Sequence, residues 1–319
     1  MSIARSTTIL ALGWFAVIAV GCESSSRSGQ PTQTVVPTFD GHKALTYLQR
    51  QVDFGPRVPN SEAHQKCLAF FLGHLKALSD TVETQEFTND HLRLGKIDLT
   101  NVIARFNLQA KRRVMISTHW DSRPWADAER DPAKRLLPVP GANDGASGAA
   151  IILALADQLK TQTPLVGVDL VLFDGEDVGA SGDARSWCLG SRFFAAHLLK
   201  EQTPAFAVNI DMVGDRNLLI ARERESDRSF PEIVARVFGI AERLHIGEFS
   251  NTQGPEVLDD HIPLIEAGVA AIDLIDFSYP DANTNYWHTT EDTPDKCSKE
   301  SLEAVGTLLL HLIYEETKQ

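Results

Sequence analysis

Residues 171–177 read VLFDGED. Three apolar residues give way to Asp174, Gly175, Glu176 and Asp177, which puts three carboxylates within four positions. Like charges this close repel, and removing them from water costs more still. The longer run VGVDLVLF (166–173) is apolar almost throughout, as a strand covered on both faces must be. A buried strand that ends in clustered acids implies either a positive partner beside them or a turn out in solvent.

The segments around this strand repeat its pattern. RRVMISTHW (112–120), AFAVNIDMVGD (205–215) and VAAIDLIDF (269–277) are apolar runs that end in polar groups. TVETQEF (81–87) and DLTNVIARFNL (98–108) alternate as half-buried strands do. Between them lie helical stretches. These are 39–57, 61–78 with Ser61 as N-cap, the small-residue segment DGASGAAIILALADQLK (144–160), 191–200, 230–244, a short one at 261–268, and 298–316. Strands alternating with helices predict a three-layer α/β sandwich with a mixed, largely parallel central sheet flanked by helices. No composition break follows residue 38, so 39–319 is expected to form a single catalytic domain.

The first residues read differently. Arg5 precedes TTILALGWFAVIAVGC (7–22), too short for a typical membrane span and suited to the apolar core of a signal peptide over 1–21. Ala19, Val20, Gly21 and Cys22 resemble a bacterial lipobox, and residues 22–38 form a polar tether. The expectation is an exported lipoprotein, periplasmic or membrane-anchored through acylated Cys22. The net charge of −13 argues against a nucleic-acid partner, because phosphate binding needs basic surface. Cys67, Cys188 and Cys297 remain, and a Cys188–Cys297 bridge is one possible pairing. A monomer is expected.

The polar groups just past the strands collect at one sheet edge, where open α/β sheets bind ligands. They are His119 and Asp121, then Asp174, Glu176 and Asp177, then Asp211, then Asp276. Three loops add Asp144, the run Asp259–Asp260–His261, and the pair Trp287–His288. Carboxylates and imidazoles converging from separate strands make a site for a divalent cation, and Zn²⁺ suits this donor mixture best. Its charge would offset the crowding at Glu176 and Asp177.

The blocks STHWDS (117–122), PGANDGASG (140–148), LFDGED (172–177), NIDMVGD (209–215), DDHIPLIEAG (259–268) and YWHTTEDT (286–293) resemble, in order, the signatures of the zinc-dependent aminopeptidase superfamily. More narrowly, they look like its glutaminyl cyclase branch, the glutaminyl-peptide cyclotransferases. That resemblance implies Asp144, Asp177 and His288 as ligands of one zinc ion. It implies Glu176 as general acid/base, Asp211 and Asp260 as carboxylates of the proton network, and Trp287 as a pocket wall. The cyclase block usually reads Glu-Glu at 176–177, whereas this chain has Asp177. No role is assigned to the nearby Trp187.

The implied reaction converts an N-terminal glutamine of a peptide or protein to pyroglutamate with release of ammonia. The alternative is a two-zinc aminopeptidase, in which His119 and Asp211 join the other ligands and Asp144 bridges the ions. A third reading is a tethered binding protein that has lost catalysis.

Overall fold

In this computed structural model, the described residues are 1–4, 9–11, 35–281 and 283–316. The expected signal peptide, the lipobox and Cys22 lie outside them, apart from a few N-terminal residues. Residues 1–34 and 35–319 are separate units. Among the described residues no helix is long and apolar enough to cross a membrane.

Six strands form the central sheet: β1 (Thr81–His91), β2 (Gly95–Phe106), β3 (Arg113–His119), β4 (Gly167–Phe173), β5 (Phe206–Asp211) and β8 (Ala271–Ile275). Their order is β1-β2-β4-β3-β5-β8. The first two pair as an antiparallel hairpin, β2 runs antiparallel to β4, and β4, β3, β5 and β8 run parallel. The chain leaves β3 for β4 on one side and then returns to place β5 on the other. Their C-terminal ends therefore meet at a switch point, where a crevice opens.

Helices cover both faces. On one side lie α1 (Gly41–Asp53), α2 (Glu62–Leu78), α3 (Ala146–Thr161), α6 (Pro231–Leu244) and α8 (Lys299–Tyr314). On the other, α4 (Leu189–His197) and α7 (His261–Glu266) bring Phe194 and Leu264 against Met115, Val171 and Phe173. Each fully buried aliphatic or aromatic side chain contributes about 1.5–3 kcal/mol, and β4 is buried along its whole length. The expected sandwich is thus the observed one.

Ser61 caps α2 as expected, accepting from the His64 N–H at 3.1 Å. The small residues of α3 have a steric cause. A Cβ on Gly148 would stand 2.1 Å from Thr118 Oγ1, so only glycine lets the helix lie this close to β3. Sequence patterning missed β6 (Ile220–Arg222), β7 (Phe249–Gln253) and the one-turn α5 (Arg224–Ser229). The first is three residues long and the second is polar and largely exposed, so neither alternates. The bridge considered between Cys188 and Cys297 does not form; Cys67, Cys188 and Cys297 are all free and buried.

Candidate active site and metal centre

The three acids after β4 part company at Gly175. This residue sits at φ 74°, and a Cβ there would meet Leu99 at 2.8 Å, so glycine is required for the turn. Asp174 turns away from the crevice. Both its oxygens lie 3.0 Å from His64 Nε2, and it accepts the Thr100 N–H at 2.6 Å. Glu176 turns toward the crevice and Asp177 toward His288, both held by Asp121, which accepts their backbone N–H groups at 3.1 and 3.2 Å. Arg57 donates to the carbonyls of Trp120 and Gly141, so it joins the loop after β3 to the loop that carries Asp144. Asp276 also turns out to be structural: it accepts from the backbone of Leu219 and Ser278 at 2.8 and 2.9 Å.

Two donor sets share Asp144. In the first, His288 Nε2 lies 3.0 Å from Asp177 Oδ1 and 3.7 Å from Asp144 Oδ2. In the second, His119 Nε2 lies 3.1 Å from both Asp144 Oδ1 and Asp211 Oδ1. Within each set the ligand atoms lie within 4.8 Å of one another. Among the described residues, Asp144 Oδ2 and Asp177 Oδ2 are buried without a hydrogen-bond partner, a costly state that a cation would relieve. Imidazole nitrogen with carboxylate oxygens is a zinc donor set, so the residues fit that ion. Burial disfavours a charged His288, yet Asp177, Asp127 and Asp144 outweigh it and push the imidazole up to about 9. A divalent ion would take the place of those protons.

Further groups aim these donors. Asp292 accepts the N–H groups of Asn143 and Asp144 at 2.8 and 3.1 Å, and Tyr279 donates to it at 2.8 Å. Burial, then the neighbouring Asp144, raises Asp292 to about 7. Arg123, only 1% exposed, donates to the Asp177 carbonyl at 2.9 Å and to its carboxylate at 3.3 Å. It also grips Asp127, whose Oδ1 lies 3.4 Å from His288 Nδ1. Despite burial, Arg123 and His288 hold Asp127 well below the usual carboxylate range. Arg123 is the buried cation that the opening acids called for. Arg123→Ala is expected to lower unfolding free energy by about 3 kcal/mol, the low end for a broken buried pair because Asp127 is 40% exposed. Urea unfolding of variant and wild type measures this.

The crevice encloses about 270 Å³. Its apolar wall includes Trp187, Trp287, Phe277 and Ile275, while Asp144, Glu176, Asp211, Glu256, Asp259 and His288 are its polar groups. Trp287 stacks on His288 at 3.6 Å and 22°, and Trp187 lies parallel to the same ring at 5.9 Å and 4°. Burial, then the charges of Asp177, Asp259 and Asp260, push the Glu176 carboxyl well above its ordinary value, although His119 acts the other way. Asp260 is fully buried and accepts from Ser191 Oγ at 2.5 Å. Asp259, raised to about 6 by burial and by Asp211, accepts from Asn209 at 3.1 Å. A third donor group joins Asp259 to His261 and Asp273, but only Asp259 lines the crevice.

The sequence of residues 101–313, which carries these strand ends and loops, matches the model of peptidase family M28. The chain belongs to peptidase family M28. Within this superfamily it lies in the glutaminyl cyclase branch, as its relatives show. The glutaminyl-peptide cyclotransferase of Boiga irregularis is 26% identical over 82% of this chain and 76% of its own length. The solved glutaminyl cyclase of Tannerella forsythia is 37% identical, with a TM-score of 0.84 over 88% of this chain and 100% of that one. A Zn-dependent exopeptidase from Parabacteroides distasonis is 34% identical, with a TM-score of 0.85 over 88% and 100%. The aminopeptidase YwaD of Bacillus subtilis is 27% identical over 75% of this chain, which spans 48% of its length.

For this M28 chain the structure brings together the residues expected from sequence. Asp144, Asp177 and His288 meet, His119 and Asp211 stand beside them, and Glu176 and Trp287 face the same crevice. Asp260 sits behind the crevice wall. Trp187, to which sequence assigned nothing, lines the crevice and covers His288. Its only sequence signal is a bulky aromatic soon after the acidic turn. Arg123, Asp127 and Asp292 were also assigned no role, although the first two follow the block 117–122 within five residues and Asp292 lies inside the block 286–293.

Proposed function

We propose that this protein is a zinc-dependent glutaminyl-peptide cyclotransferase that forms pyroglutamate from an N-terminal glutamine and releases ammonia. The observation that carries this reading is the position of Glu176. Its carboxyl enters a small, apolar-walled crevice beside the Asp144–Asp177–His288 set, where a chain end can meet both. The likeness to the Tannerella forsythia cyclase supports it.

Zinc held by Asp144, Asp177 and His288 would supply Lewis-acid polarisation of the substrate's side-chain carbonyl. Trp187, Trp287 and Phe277 exclude water from the glutamine side chain and hold it near its own amine. Glu176 takes a proton from the α-ammonium, and the freed amine attacks the side-chain amide carbon. As the carbon–nitrogen bond to ammonia breaks, Glu176 returns the proton to the leaving nitrogen, and the second proton of the attacking nitrogen passes through the same carboxylate to the departing ammonia, which leaves as ammonium. The attack is intramolecular, so orientation supplies much of the acceleration.

A second reading, a two-zinc aminopeptidase, is favoured by the His119–Asp144–Asp211 set, which can hold another ion. The purified protein is expected to release ammonia from a Gln-initiated peptide, with about one zinc per chain. Release of free amino acids from unblocked peptides, with about two zinc ions, would establish the second reading instead.

A further inference from the structure

Glu176 needs a fixed orientation, and its carboxyl has little to fix it. Among the described residues, the only hydrogen bond to that carboxyl comes from the Cys188 thiol, with Sγ 3.4 Å from Oε1. Among the described residues the other oxygen accepts no hydrogen bond. Sequence assigned Cys188 only a possible disulfide, and the fold leaves it free and fully buried.

The backbone is shaped to make this contact. Cys188 N–H donates to the Glu176 carbonyl at 3.1 Å, and Leu189 N–H donates to the Gly175 carbonyl at 3.1 Å. These two bonds press the segment before α4 against the acidic turn. Cys188 precedes the first turn of α4, a position where Ser, Thr, Asp or Asn commonly caps the helix. Here the side chain makes no cap bond, and the residue adopts left-handed φ 58°, ψ 40°, which non-glycine residues rarely take. Its side chain is turned to Glu176 instead. Ser191 Oγ lies within hydrogen-bond distance of both the Cys188 carbonyl, at 3.1 Å, and Asp260 Oδ1, at 2.5 Å. The thiol contact is thereby tied to the acid behind Glu176.

A thiol suits this task. It is a weak donor, so it can fix direction without competing strongly for the carboxylate that must accept and return a proton. Burial and the surrounding carboxylates push the thiol well above its ordinary value, so it stays protonated and remains a donor.

We propose that Cys188 is a positioning residue whose thiol holds one oxygen of Glu176 so that the other faces the reacting amine. This rests on the cyclotransferase reading. Cys188→Ala is expected to lower kcat about tenfold to a hundredfold, with KM within about twofold and zinc content unchanged. Cys188→Ser, which keeps a donor in nearly the same place, is expected to recover most of that loss. Wild-type kcat in the Ala variant, or a Ser variant no better than Ala, would overturn the proposal. Should the Ala variant fail to fold, the thiol stretching band decides: Glu176→Gln weakens the acceptor and is expected to move one S–H band to higher frequency. An unchanged band would overturn the contact. The infrared comparison needs no turnover, so a wild type that releases no ammonia would refute the cyclotransferase reading without obscuring this result.

Discussion

Replacing Glu176 by Gln is expected to lower turnover of a Gln-initiated peptide by about a thousandfold, within the range that a positioned acid/base contributes. The substitution keeps the shape of the side chain and removes its ability to accept a proton. The donor atoms of the Asp144–Asp177–His288 set are unchanged by the substitution, and Asp121 still accepts the backbone N–H groups of residues 176 and 177. Zinc content should therefore equal that of wild type. Ammonia release gives the first quantity and elemental analysis after dialysis the second. Retained activity would remove Glu176 from the mechanism; lost zinc would mean that the variant reports on the metal centre instead.

Asp144→Asn is expected to have the opposite signature. Asp144 is the one residue common to both donor sets, so its loss weakens metal binding whether one ion or two are held. Substitutions one step removed from a metal typically cost 10–100-fold in affinity, so a change in a ligand itself should cost about a hundredfold or more. The neutral amide would also leave His119 and His288 without a carboxylate that each now faces at 3.1 and 3.7 Å. Zinc should be depleted after dialysis, and activity should fall with it and return only partly on adding excess ion. An Asn variant with full zinc and full activity would show that the metal centre lies elsewhere.

The fold was legible because β3, β4 and β5 are largely apolar runs that give way to polar residues at or just past their C-terminal ends, and those ends are where a parallel sheet gathers its ligands. Most of the site followed from the same reading. Direction did not. Nothing in VLFDGED distinguishes Asp174, which turns back to His64, from Asp177, which meets His288, because a left-handed glycine between them sends them apart. Arg57 and Arg123 were illegible for a related reason: each is fully buried through bonds to carbonyls far away in sequence, and no local pattern encodes that. Cys188 was read through its oxidation chemistry, whereas its backbone angle and its neighbour give it a different role.

The two indoles flanking His288 constrain how such a crevice can diversify. Trp287 and Trp187 are walls of the cavity and also braces for a metal donor. A change that widened the cavity at either position would also loosen the imidazole, so selectivity and ion affinity are inherited together there. Val257 and Leu258, aliphatic residues of the rim that belong to no donor set, carry no such double burden. Variation that leaves the chemistry intact is free to accumulate on that side of the opening, which makes it the part of the molecule where descendants of one ancestor can part ways in what they accept.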